Sequence, residues 1–231
     1  MIDVTLIDHM GTDLSVVNAA RVSFGKNSDW DYTDWRDSDD YARKKVLSKG
    51  DTKLIHYLAE HKHMSPFGHA FASFHVKAPI FVARQLVKHK FLRWNEISRR
   101  YVDSEPEFYE PDVWRGRSED KKQGSSGEIN VEHSDFYVTD LGDDGTLNDA
   151  ALFTYQSLLE KGVCPEQARM VLPQSTMTEW YWSGSLDAFA DMCNLRCTSD
   201  TQLETRLVAN QICNSMKELF PVSWLALRLE K

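Results

Sequence analysis

Apolar residues recur at helical or strand spacing along most of the chain, and two long polar runs interrupt them. Leu14, Val17 and Val22 share one face of a predicted helix over residues 13–23, and Leu54, Ile55 and Leu58 do so over 51–62, with Asp51 placed to cap the first turn. Between them, KNSDWDYTDWRDSDDYARKK (26–45) is polar and mostly acidic and reads as a surface excursion. In HAFASFHVK (69–77), Ala70, Ala72, Phe74 and Val76 alternate with Phe71, Ser73, His75 and Lys77, the period of a strand with two unlike faces. Pro79 suits the start of a helix on which Ala83, Val87, Phe91 and Trp94 recur at three- and four-residue steps. That spacing predicts one helix carried on to Arg93, with NEISRRY (95–101) turning into a strand.

Beyond Tyr101, the Gly-, Ser- and charge-rich runs SEDKKQGSSGEIN and DLGDDGTLND make residues 103–145 read mostly as loop around a short strand at DFYVTD (135–140). A helix from Leu147 closes at Gly162, Pro165 starts another and Pro173 stops it. The aromatic run TMTEWYWS (176–183) is predicted extended. Helical apolar spacing returns over 185–197 (Leu186, Phe189, Cys193) and 200–219 (Leu203, Leu207, Ile212, Leu219), and Pro221 breaks the chain before a last short helix. No internal repeat and no linker composition divides the chain, so residues 1–231 are expected to form a single domain, with the polar stretches at about 26–50 and 103–145 as excursions from it.

Charge narrows the function. A formal net charge of -8 and a pI near 5.5 oppose a protein that coats nucleic acid or an anionic membrane, since those partners favour a basic footprint over much of the surface. Any anion site must then be local. No stretch is apolar enough to span a bilayer and MIDVTLIDHMGTDLS carries no basic lead, so a cytoplasmic protein is expected. The cysteines Cys164, Cys193, Cys197 and Cys213 form no disulfide framework and fit a reducing compartment, and Cys193 and Cys197, one helical turn apart, read as core residues. Neither the Cys193–Cys197 spacing nor the histidines of HKHMSPFGH (61–69) has companions at metal-ligand spacing, so no metal is expected.

Local positive charge does exist, in KHKFLRWNEISRRY (88–101). On the predicted helix, Arg84, Gln85, Lys88 and His89 project from one polar face, and Lys90 and Arg93 extend it. Backbone amides of the following turn and the Ser98 hydroxyl can grip a phosphate, with Arg100 adding charge-assisted hydrogen bonds. Glu96, alone among cations, is either their salt-bridge partner or an acceptor for ligand hydroxyls. Arg169 and Arg196 lie in apolar sequence, where a buried guanidinium needs a partner; an ion pair and a ligand contact are both open. A solvated basic face is the plain alternative. A third reading is a nucleic-acid-binding domain, with Lys88, Lys90, Arg93, Arg99 and Arg100 on phosphates and Phe91, Trp94 and Tyr101 stacking on bases; the acidic remainder opposes it.

KHKFLRWNEIS resembles the signature of flavin-dependent thymidylate synthases, Arg-His-Arg, seven residues, then Ser, here running from Lys88, His89 and Lys90 to Ser98. RVSF (21–24), HKHMSPFGH (61–69), FHVKAPIFVARQ (74–85), NEISRRY (95–101), ARMVLP (168–173) and NLR (194–196) resemble the same family in its order. The resemblance implies an α+β fold, a single domain with a mixed sheet flanked by helices, the thymidylate synthase-complementing fold, assembled as a homotetramer with active sites where subunits meet. It implies reductive methylation of dUMP to dTMP, with methylenetetrahydrofolate as carbon donor, FAD as hydride carrier and NADPH as reductant. A family member that holds flavin without turning over dUMP is the other outcome within it.

Carried across by motif, Gln85, Leu86, Val87, Lys88, Glu96, Ile97, Ser98, Arg99, Arg100 and Arg169 would line the dUMP site, with Arg196 against the uracil as the catalytic residue. For FAD the matching positions are Ser65, Lys88, His89, Lys90 and Glu96, with His63 near the flavin and folate region. Hydride delivery by the flavin needs no enzyme thiolate, and Ser98, with no general base beside it in sequence, falls to phosphate binding. Lys88 and Lys90 stand where the family has arginine, which keeps the charge and loses the two-pronged donor. Arg99 replaces a residue that is commonly small, and SGSLDAFAD (183–191) lacks asparagines often found beside the flavin, so Ser185 and Asp191 are not assigned contacts.

Overall fold

The computed structural model describes residues 1–33, 43–119, 124–131 and 145–228. The chain runs β1 (Asp3–Met10), α1 (Asp13–Arg21), β2 (Asp31–Tyr32), β3 (Lys45–Val46), α2 (Lys49–Glu60), β4 (Phe71–Pro79), α3 (Ile80–Leu86) and β5 (Leu92–Glu96). It continues β6 (Trp114–Arg117), β7 (Ser125–Ile129), α4 (Leu147–Glu160), α5 (Pro165–Ala168), β8 (Met177–Ser185), α6 (Leu186–Arg196), α7 (Leu203–Leu219) and α8 (Pro221–Leu227).

The central sheet has the order β1-β4-β8-β5. A mixed sheet was expected, but every pairing in it is antiparallel. β4 and β5 do run the same way, as a crossover through α3 requires. β8 inserts between them, antiparallel to both, so no parallel pair forms. Alternation decides which face is covered: Ala72, Phe74, Val76 and Ala78 of β4 and Trp180 and Trp182 of β8 are buried, with Phe74 opposite Trp182 and Val76 opposite Trp180. Phe189 of α6 packs edge-on against Phe74 and Trp182, at 5.2 and 5.7 Å between ring centroids. Val208, Ala209, Ile212 and Met216 of α7 join the same core.

Polar ties fix the helices. Asp13 is almost fully buried and accepts from the backbone N–H groups of Val222 and Ser223 at 2.9 and 2.8 Å, which caps α8 from across the molecule. The cap of α2 is Ser48, not Asp51: Ser48 Oγ accepts from the Asp51 N–H at 3.0 Å. The Asp51 carboxylate instead accepts from Arg21 and from the Ser28 and Ser48 hydroxyls, which holds its pKa below the usual value against the opposing effect of burial.

Two further expectations change. α3 ends at Leu86, and Phe91, with φ at +65°, reverses the chain into β5, so Lys88, His89, Lys90 and Arg93, all expected on the helix, lie beyond it. Phe91 and Trp94 fit a helical step while Leu92 and Trp94 fit a strand period, and pairing with β8 wins because Trp94 stacks on Trp180 at 4.3 Å. NEISRRY therefore begins in a strand and ends in a turn, the reverse of the expected order. Within 103–145, read mostly as loop, β6 and β7 form an antiparallel hairpin. The strand expected at 135–140 lies outside the described residues.

Candidate functional site

The C-terminal ends of α3 and α6 converge on a cleft of about 600 Å3, where Gln85, Lys88 and Arg196 meet. Arg196 ends α6, and its Nε donates to His89 Nε2 at 3.0 Å. Burial is the main reason the His89 pKa falls to about 4, and the neighbouring Arg196 charge adds to it. His89 is thus neutral near pH 7, with Nε2 unprotonated and accepting. Burial also lowers the Arg196 pKa, from a value so high that the guanidinium stays charged. With Nε committed to His89, the two Nη groups have no hydrogen-bond partner among the described residues. A half-buried Arg with a neutral partner keeps its full charge to offer a ligand. Gln85 is held at both ends: Thr205 Oγ1 donates to its Oε1 at 3.2 Å, and its Nε2 donates to Gln202.

A second group follows β5. Glu96 accepts from Thr178 Oγ1 at 2.7 Å and from Trp94 Nε1 at 3.1 Å, and makes no ion pair among the described residues. Of its two open readings, the salt-bridge partner is not what forms here. Ser98 Oγ accepts from Arg100 Nε at 3.2 Å, which leaves the hydroxyl proton free to donate. The Arg100 guanidinium lies over the Tyr101 ring, 4.9 Å from its centroid, and Arg99 donates to the Ser104 carbonyl. Ile97 and Val87 are exposed, while the Leu86 side chain is fully buried in the core, so only its main chain can reach a ligand. Arg169 corrects the sequence reading: despite its apolar neighbours it is exposed, with Nε donating to the Glu166 carbonyl, because it sits on a short 3-10 turn at the surface.

His63 and Ser65 belong to a separate cavity of about 540 Å3, lined also by Arg21, Phe24, Lys26 and Tyr57. Within one chain, then, most of the expected contacts fall into three groups: Gln85, Lys88 and Arg196 in the first cleft, Glu96 at the end of β5 with the 97–100 turn after it, and His63 with Ser65. The sequence reading missed Arg115, Thr198, Thr201 and Gln202 in the first cleft. The polar run CTSDTQ after Arg196 carried a signal for three of them, and Arg115 had none, since its segment reads as loop. Cys193 is buried and its thiol pushed well up by burial, in keeping with a core role, whereas Cys164 is exposed at the start of α5 and is no core residue.

Residues 5–222 match the family described as thymidylate synthase complementing protein. The chain is 39% identical over 223 residues to a flavin-dependent thymidylate synthase of Thermus thermophilus, covering 96% of this chain and 74% of that one. It is 39% identical over 217 residues to the enzyme of the same name from Thermosipho africanus, covering 94% of this chain and 86% of that one. Among solved structures it is similar to the UMP/dUMP methylase PolB from Streptomyces cacaoi bound with 5-Br dUMP, with a TM-score of 0.77, 31% identity, and coverage of 98% of this chain and 94% of that one.

Proposed function

The chain belongs to the flavin-dependent thymidylate synthase family, and from that premise we infer how its own residues carry out the reductive methylation of dUMP to dTMP. Methylenetetrahydrofolate donates the carbon, and FAD, once reduced by NADPH, supplies the hydride that completes the methyl group. The observation that carries our assignment is the Arg196–His89 pair at the cleft shared with Gln85 and Lys88.

The uracil is placed against Arg196. A fixed guanidinium beside the pyrimidine favours negative charge on the ring, which raises electron density at the carbon that must attack the methylene group. Neutral His89 keeps that guanidinium oriented without cancelling its charge, as a carboxylate partner would. Gln85, immobilised by Thr205 and Gln202, has one amide N–H left for the nucleotide. For the phosphate, Ser98 donates its free proton while Arg99, Arg100 and Arg169 supply charge, with the main chain at Leu86, Val87, Glu96 and Ile97 shaping the site. No general base approaches Ser98 Oγ within hydrogen-bond reach among the described residues, which supports binding over nucleophilic attack.

The residues present fit FAD chemically. The cavity of His63 and Ser65 offers the Phe24 and Tyr57 rings beside Lys26, apolar faces for a flat ring system next to a cation for a pyrophosphate, while the Arg21 charge is already met by Asp51. Ser65 would hold the cofactor from one subunit and Lys88, His89, Lys90 and Glu96 from another, with His63 near the flavin and folate. Such a division calls for active sites at subunit contacts, and the assembly we propose is a homotetramer, in a cytoplasmic protein. The test is Arg196→Ala. The variant is expected to fold and keep its flavin absorption while dTMP formation falls about 100-fold or more, the scale of losing one charge-stabilising group. Near wild-type turnover would remove Arg196 from its role.

A further inference from the structure

The hairpin β6–β7 supplies one wall of the cleft that Gln85, Lys88 and Arg196 line, through Arg115, Gly124 and Ser125. Neither strand places a residue in the hydrophobic core, and every residue of β7 is exposed. Such a hairpin gains little from burial of apolar surface, so its place against the molecule depends on polar ties. One tie stands out. Arg115 Nη2 donates to both carboxylate oxygens of Glu204, at 2.7 and 2.9 Å, and its Nε donates to Ser125 Oγ on the partner strand at 3.0 Å.

Glu204 is 3% exposed, and a carboxylate this buried requires a cation. Tyr109 OH adds a weak third contact at 3.4 Å. Glu204 sits in the first turn of α7, directly after the 198–202 segment from which Thr198, Thr201 and Gln202 line the same cleft. Gln202 in turn accepts from Gln85. One guanidinium therefore joins both strands of the hairpin to the segment that positions Gln85.

We propose that Arg115 is a positioning residue for nucleotide binding: its ion pair with Glu204 holds the β6–β7 hairpin in place as a wall of the dUMP cleft. Its effect falls on substrate affinity and not on the chemical step, because the pair is internally neutralised and its Nε and Nη2 donors are engaged by protein. This rests on the assignment of that cleft to dUMP.

The test measures dUMP binding by calorimetry and steady-state kinetics on the flavin-loaded enzyme. Arg115→Ala alone would strand a buried carboxylate and endanger folding, so Arg115→Met is paired with Glu204→Gln, which removes the ion pair and leaves no orphan charge. The double variant is expected to melt close to wild type and keep its flavin spectrum, while its dUMP Kd and KM rise about tenfold. Its kcat at saturating dUMP should fall less than KM rises. Arg115→Met added to Glu204→Gln should weaken dUMP binding little further, as two halves of one latch require, and Arg115→Lys should keep part of the affinity. A double variant that bound dUMP as tightly as wild type would overturn the proposal, as would single effects that multiplied in the double. Wild-type enzyme that bound no dUMP would defeat the assignment of the cleft itself, and this inference with it.

Discussion

Arg196 and His89 are 107 positions apart in the chain, and each is informative only through the other. A histidine with its pKa held near 4 by burial and a nearby cation is protonated more readily in the unfolded chain, where the ordinary value is 6.5. Protons are therefore taken up on unfolding between those two values. The contribution of neutral His89 to stability is fully present above about pH 6.5 and is lost as pH falls toward 4. In urea unfolding, wild-type protein is expected to lose stability over that interval more steeply than His89→Gln, which cannot titrate; equal slopes would contradict the assignment. Lys88 and Lys90 pose a second question at this scale. Each keeps a charge but cannot grip an anion with two parallel donors. Lys88→Arg and Lys90→Arg are expected to tighten flavin or dUMP binding, read by fluorescence titration of each ligand, and no change in either affinity would show that charge alone is used. Both lysines were legible as candidates from their motif. His89 was legible as a candidate too, but its neutrality was not, because nothing local in the sequence says which distant residue will face an imidazole.

The elements explain why the segment from Pro79 to Tyr101 was read in part incorrectly. Ala83, Val87, Phe91 and Trp94 fit a helix, while Leu92 and Trp94 fit a strand equally well. The decision fell to β8, whose Trp180 and Gly184 receive Trp94 and Leu92. Gly184 is the element's weak point: a Cβ built there would lie 2.4 Å from a Leu92 methyl and 3.2 Å from the Phe91 carbonyl oxygen. Gly184→Ala should therefore displace the start of β5 and the turn that carries Lys88, His89 and Lys90. We expect a loss of about 1–3 kcal/mol, the usual range for overpacking, measured by denaturant unfolding, together with weaker flavin retention. Unchanged stability would mean that Leu92 can move aside at no expense. The β6–β7 hairpin escaped notice for the opposite reason. Its glycines and serines carry no period, and what secures it is an arginine whose partner lies 89 positions away.

At the scale of the molecule, the edge strand β1 leaves Ile7 and Met10 46% and 58% exposed, and Phe24 beyond α1 is 79% exposed. Apolar surface on an unpaired strand edge is the kind of surface a monomer buries when it assembles. Light scattering on the purified protein is expected to give four times the 26.6 kDa chain mass, and a monomer at micromolar concentration would contradict the proposed tetramer. Local pattern was enough for the helices of the second half and the β4 alternation, because periodicity acts over a few residues and does not depend on the fold. The sheet order, the burial of Leu86, the exposure of Arg169, the neutral histidine beside Arg196 and the Arg115–Glu204 tie were settled by tertiary structure alone. Each depends on which distant residues come within a few ångströms, and burial and charge pairing, the forces that decide these cases, exist only once the chain has folded.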